Sequence, residues 1–119
     1  VQGIGVTTKL IKSQTLPDNT SSATTINEFP ALSSKGIVIK YKITRGTLDR
    51  TGEFVISCST NAVGFDDTFT ESGADVGVTL TAALDNKDST AGNETVAFQF
   101  TTTSTGTAAT IDYQTTIIA

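Results

Sequence analysis

Four carboxylates crowd one short span of this chain: Asp66, Asp67, Glu71 and Asp75. Such a group is the raw material of a Ca2+ site, a hard cation that takes about six to eight oxygen ligands. Asp85, Asn86 and Asp88 form a second group of the same kind. Neither follows the EF-hand loop, with acidic residues at alternate positions, then Gly, then a distant Glu. Carboxylates that sit in turns and cap their own backbone account for both groups more simply, so no metal is expected and Asp66, Asp67, Asp75, Asp85 and Asp88 stand only as weak candidates. Paired carboxylates also hydrolyse glycosidic bonds. That chemistry wants a cleft with aromatic platforms, and the chain has no Trp. Nucleophilic catalysis lacks its parts too. Cys58 is the single cysteine and there is no His to act as its base. No enzyme activity and no cofactor are expected.

Binding without reaction fits the residues better. Polar loops at one end of a β-sandwich grip hydroxyls through Asp, Asn and Thr. The segments suited to this are Asp18 to Ser22, Asn61, and Asp85 to Asn93, with Asn19, Asn61, Asn86, Lys87 and Asn93 as weak ligand-binding candidates. Arg45 and Arg50 flank a turn-rich stretch and read as surface groups. They pair with Asp49 or Glu53, or touch a neighbouring subunit.

The elements that must position these residues are strands. In Lys35 to Ser57, Ile37, Ile39, Tyr41 and Ile43 alternate with Val38, Lys40 and Lys42. A period of two buries one face and leaves the other to water or a partner. Alternation breaks over Arg45 to Gly52 and resumes with Phe54, Ile56 and Cys58 on one face, which describes a hairpin with a tight or slightly long loop. Cys58 then reads as a small buried hydrophobe.

The same grammar runs through the chain. Val1 to Lys12 reads as a first strand, Ser13 to Thr25 as a surface connection, and Thr24 to Asn27 as a short strand. Phe29 and Leu32 are expected to plug one end of the core. Val63 to Thr70 is a strand broken at Asp66-Asp67, where a carboxylate on an aromatic face signals a bulge, an edge or a strand end. Val76 to Leu84 reads as a central strand, Val96 to Phe100 as the next, and Thr107 onward as the last. Seven or eight strands, with turns about every 8–12 residues, make a single all-β domain over 1–119. The expected architecture is an antiparallel β-sandwich of jelly-roll or related Greek-key type.

Composition agrees. Thr is roughly a fifth of the chain, far above its usual share, and it favours the wet face of a strand over a helix. The net charge of −4 argues against nucleic acid, whose binding needs a basic stripe. No apolar run reaches membrane-spanning length, so no membrane insertion is expected. The chain begins at Val1 rather than Met, which suggests a processed chain or one module of a longer polypeptide. On faces that should be wet, Ile11, Val38, Val55, Ala97 and Ile118 stand out as a self-association surface.

Three stretches together resemble a known group: YKITRGTLDRTGEFVIS at Tyr41 to Ser57, FDDTFTESGADVGVTLTA at Phe65 to Ala82, and FQFTTTSTGTAATIDY at Phe98 to Tyr113. Their order resembles the C-terminal β-domains of tail-fibre and other virion structural proteins of tailed bacteriophages. That pattern has a Tyr-x-Ile-x-Arg-Gly hairpin, an acidic strand before Asp-Val-Gly-Val, and a closing Thr-Thr-x-Thr-Gly-x-x-Ala-Thr strand. The resemblance covers 35–119; residues 1–34, the N-terminal strand and long loop, match nothing in it. It implies a place on the surface of a virus particle, a homo-oligomer (a trimer by analogy), other virion proteins as neighbours, and contact with a host surface glycan. The leading expectation is a tail-fibre or spike tip. A capsid decoration protein is the alternative within that class, and a secreted non-catalytic carbohydrate-binding module the alternative outside it.

Overall fold

The computed structural model describes residues 11–85 and 92–118. They form eight strands: β1 (Lys12–Leu16), β2 (Thr24–Pro30), β3 (Gly36–Arg45), β4 (Leu48–Cys58), β5 (Val63–Ser72), β6 (Val78–Asp85), β7 (Thr95–Thr102) and β8 (Ala109–Ile118). A single 3-10 turn, Ala31–Ser33, follows β2. All pairings are antiparallel, in a five-stranded sheet of order β1-β8-β3-β4-β5 and a three-stranded sheet of order β2-β7-β6.

The alternation read from the sequence decides what lies between the sheets. Ile37, Ile39, Tyr41 and Ile43 of β3, Phe54 and Ile56 of β4, and Ile111 and Tyr113 of β8 face inward from the larger sheet. Val78 and Leu80 of β6 and Val96, Phe98 and Phe100 of β7 meet them from the smaller one. Phe98 links the layers, with its ring 5.1 Å from that of Phe54 and 5.9 Å from that of Tyr113. Each such side chain, fully buried, stabilises the fold by about 1.5–3 kcal/mol. The two-sheet, all-β sandwich expected from the sequence is what forms.

Its strand order refines that expectation. β3, β4 and β5 form a meander, and β8 returns beside β3, giving the order β8-β3-β4-β5 in which a last strand lies next to the first of three. That is the spatial order of a Greek key. A five-to-three division does not by itself carry the jelly-roll form.

Several local readings change. Residues 12–16 are a strand, not a connection, and Leu16 is fully buried against the core; the first-strand reading of residues 1–10 lies outside the described residues. β2 continues to Pro30, with a bulge between Thr25 and Asn27 that brings Ile26 inward. Phe29 is buried as expected, but Leu32 is 63% exposed, because it sits on the outer side of the 3-10 turn. The β3–β4 loop is only Gly46-Thr47, with Gly46 at φ 63°, the positive φ that a two-residue loop with Gly first requires. β5 runs unbroken through Asp66 and Asp67 and is a sheet edge among the described residues, one of the three alternatives for that carboxylate. β6 is an edge among the described residues, not a central strand; β7 holds the centre.

The registers also sort the connections. β1–β2, β3–β4, β5–β6 and β7–β8 turn at one end, the Gly46 end, and β2–β3 and β4–β5 turn at the other, the Asn61 end.

Gly52 shows how closely β4 is filled. A Cβ there would stand 2.7 Å from the Tyr41 hydroxyl and 2.8 Å from Phe69 Cβ, whereas one on Gly64 in β5 would meet nothing within 4 Å. Gly52→Ala is expected to lower stability by about 1–3 kcal/mol in urea unfolding. Gly64→Ala should move it by less than about 0.5 kcal/mol. Equal midpoints for the two variants would refute this packing.

Candidate functional site

Arg45 closes β3 on the inward parity of Ile37 to Ile43, so its side chain enters the sandwich instead of the solvent. It is 3% exposed. Nε donates to Thr107 O at 2.8 Å, Nη1 to Val76 O at 3.0 Å and Gly77 O at 3.2 Å, and Nη2 to Thr103 O at 2.7 Å. Nη2 also meets Asp18 Oδ1 at 2.5 Å. These carbonyls belong to the β5–β6 and β7–β8 connections, where the chain changes sheet; Gly77 O also accepts from the Thr103 N–H and Thr103 O from the Asn19 N–H. A planar five-donor fork suits such a convergence of acceptors.

Asp18 extends the grip into a fourth segment. It accepts from the backbone N–H of Thr105 at 2.8 Å and of Gly106 at 3.1 Å. The Thr105 N–H is the leading influence holding its carboxyl below the ordinary range, with Arg45 adding to it.

Arg50 does the same on β4, again on the inward parity and 3% exposed. Nη1 donates to Val78 O at 2.8 Å; Nε and Nη2 reach Glu71 Oε2 at 3.2 and 3.1 Å, and Nη2 reaches Asp75 Oδ1 at 3.4 Å. Glu71 also accepts from the Val76 N–H at 3.0 Å, and Asp75 from the Gly77 N–H at 2.8 Å. The guanidinium lies 4.0 Å from the centre of the Phe69 ring. Surface pairing of these arginines with Asp49 or Glu53 does not occur; both are buried lattice points. Their inward parity is readable in the sequence, but charge argues for the surface and the turn-rich stretch reads as the end of the strand.

Beside Arg50, the Tyr41 hydroxyl donates to Asp67 Oδ1 at 2.6 Å. Tyr41, Gly52 and Phe69 are register neighbours across β3, β4 and β5, so the missing side chain at Gly52 lets the phenol pass. Burial raises the Asp67 carboxyl above its usual range, against the hydrogen bond from Tyr41 and the charge of Arg50. Burial also raises the Tyr41 phenol, which the Asp67 hydrogen bond reinforces. Asp67 Oδ2 stops 4.0 Å from Arg50 Nη1. A cleft of about 340 Å3 opens here, lined among others by Arg50, Asp67, Phe69, Asp75, Thr79 and Thr103.

The metal candidates do not assemble. Asp66 and Asp67 lie on opposite faces of β5, Asp66 with only Thr68 Oγ1 at 3.4 Å, and Asp67 committed to Tyr41. Asp75 is turned to Arg50 and Gly77, and Asp85 is exposed at the far end of β6. Among the described residues no three metal-ligating side chains converge; Asp88 lies outside them, as do Asn86 and Lys87.

The single-ended loop cluster is also corrected. Asn19, at φ 55°, turns the chain at the Gly46 end, whereas Asn61 is in the β4–β5 turn and Asn93 precedes β7 at the opposite end. Antiparallel register separates what sequence distance left open.

Of the self-association candidates, Val38 and Val55 are direct cross-strand neighbours on the outer face of the larger sheet, and Ile118 lies over Gly36 beside them. Val55 and Ile118 are exposed and Val38 is half-buried. Ile11 is exposed but precedes β1, across the sheet. Ala97 is 4% exposed, because it sits in the central strand of the other sheet between Glu28 and Ala83. Cys58 is half-buried, its thiol donating to Ser34 O at 2.8 Å and its pKa raised by burial.

The residues of the resembling stretches meet at these two arginines: Arg45-Gly46 from the first, Asp75 to Val78 from the second, Thr103 to Thr107 from the third. No family model, no curated protein and no solved structure matches the chain.

Arg45→Met removes a donor shared by the carbonyls of Val76, Thr103 and Thr107 and strips the buried Val76 carbonyl of it, at roughly 1–3 kcal/mol for that group, besides leaving Asp18 without its cation. Urea unfolding should show a loss on the order of 3–5 kcal/mol; a loss under about 1 kcal/mol would refute the lattice. For Asp18 the folded pKa lies below the unfolded value of 3.8. Its contribution is therefore complete above that value and disappears as pH falls through the folded pKa. Asp18→Asn should flatten the acid limb of the stability profile below about pH 4, and an unchanged slope would remove Asp18 from it.

Proposed function

We propose that this chain is a structural and adhesive module of a tailed-bacteriophage particle: the tip of a tail fibre or spike, working as a homotrimer that touches the host surface. The observation that carries this reading is the convergence just described. The elements that resemble virion β-domains are those the two buried arginines bind together, and their polar groups hold loops in place. A module built this way offers a rigid shape and surface.

The outer-face patch of Val38, Val55 and Ile118 supports self-association, since a closed ring of subunits lets each bury such a patch against its neighbour. Light scattering after gel filtration is expected to give a mass near three chains. The double variant Val38→Lys, Val55→Lys should reduce it to one, and a single-chain mass for the unmodified protein would overturn the trimeric tip. Antiserum against the purified chain is expected to label the tail ends of particles from the encoding phage. Label on heads would replace the tip with a decoration protein, and unlabelled particles would end the virion reading.

A further inference from the structure

We infer that the cleft between β5 and β6 is a subsite for one residue of a neutral glycan. This rests on the host-surface reading above and gives it a place and a chemistry. A pyranose presents an apolar C–H face and a rim of hydroxyls, each of which both donates and accepts. The cleft presents the complement of both.

The apolar element is Phe69, 43% exposed on β5. The Arg50 guanidinium covers one face of its ring, 4.0 Å from the centroid, and the exposed remainder borders the cleft. Sugar C–H groups pack on that exposed part, as apolar groups do on aromatics generally.

The polar element is the interval between Arg50 and Asp67. Arg50 Nη1 carries two N–H groups and donates to Val78 O at 2.8 Å. Its separation from Asp67 Oδ2, 4.0 Å, is too long for a direct hydrogen bond. A hydroxyl oxygen beside this gap, at about 2.8 Å from each atom, accepts from the guanidinium and donates to the carboxylate. Neither partner moves to receive it. Asp67 is fixed through its other oxygen by Tyr41 at 2.6 Å, and Arg50 by Val78 and Glu71. Pre-organisation of this kind lowers the ordering cost of binding. Thr79 and Thr103 add hydroxyls at the rim, and the volume, about 340 Å3, suits one sugar ring.

Charge selects the class. One guanidinium faces the carboxylates of Asp67, Glu71 and Asp75, an excess of negative charge. Phosphate and acidic sugars are repelled, and neutral hydroxyl-rich rings are not. Asp67 and Asp75 are already bound to Tyr41, Arg50 and Gly77, so the cleft holds a sugar without being arranged to cleave it.

The test uses the intact chain and NMR titration with methyl glycosides and short oligomers of glucose, galactose and N-acetylglucosamine. Sialyllactose and galacturonate oligomers serve as acidic probes. At least one neutral probe is expected to bind, with amide shifts centred on Phe69, Thr79 and Thr103. Phe69→Ala should weaken that binding at least tenfold while the melting temperature shows the variant folded. Thr68→Ala, on the outer face of the same strand, should leave it unchanged. Stronger binding of the acidic probes, shifts confined to other loops, or full affinity in Phe69→Ala would each overturn the subsite. So would the absence of any binding, and if trimer mass and tail labelling hold in that case, the virion reading survives without the subsite.

Discussion

The fold depends on two guanidinium groups taken out of water. A sandwich of alternating strands is held sideways by its ladders and face to face by apolar contact. Neither force satisfies the carbonyls at points where the chain leaves one sheet for the other. Here Val76 and Thr107 supply such carbonyls, which Arg45 answers, and Arg50 takes the carbonyl of Val78 at the start of β6. Desolvating an arginine is costly, and the cost is offset only when nearly every donor is used. Both residues meet that condition, with Asp18, Glu71 and Asp75 adding compensating charge. Three crossovers are thereby fixed at the Gly46 end by side chains from one hairpin.

This arrangement accounts for the acidic residues that sit close together beside Arg50. Each carboxylate near Arg50 has a backbone N–H, a phenol or the guanidinium as its partner. A cation there would compete with a charge already inside the protein. The polar chemistry of the module is directed inward, to shape. What remains toward solvent is a Thr-rich outer face, a small apolar patch on the larger sheet, and the cleft beside Phe69.

Most of the fold was legible as parity. β3, β4, β6, β7 and β8 announce themselves by period two, and their inward residues are the core. β1 was not legible, because in KSQTL only Leu16 is buried and the strand exists through its pairing with β8. β2 was clipped because a bulge breaks its alternation and a proline ends it. The site was legible only in part. Asp67 on an aromatic face pointed to something unusual on β5, and the answer, Tyr41 reaching across Gly52, depends on register between three strands. Arg45 and Arg50 kept their inward parity in plain view, but charge is ordinarily read as exposure, and only the carbonyls of distant loops justify its reversal.

The direction of the strands has a mechanical consequence. The chain enters β1 and leaves β8 on the Asn61 side, and these two strands are antiparallel neighbours. Ile118, where β8 ends, therefore stands opposite the end closed by Arg45. A pull between Ile118 and a contact near the Gly46 end runs along the strands. It loads the hydrogen bonds of β8 against β3 in shear, all sharing the force at once. Tension applied between Lys12 and Ile118 instead peels β1 from β8 one bond at a time. The same domain is thus stiff when tugged from its tip and weak when pried open at its base.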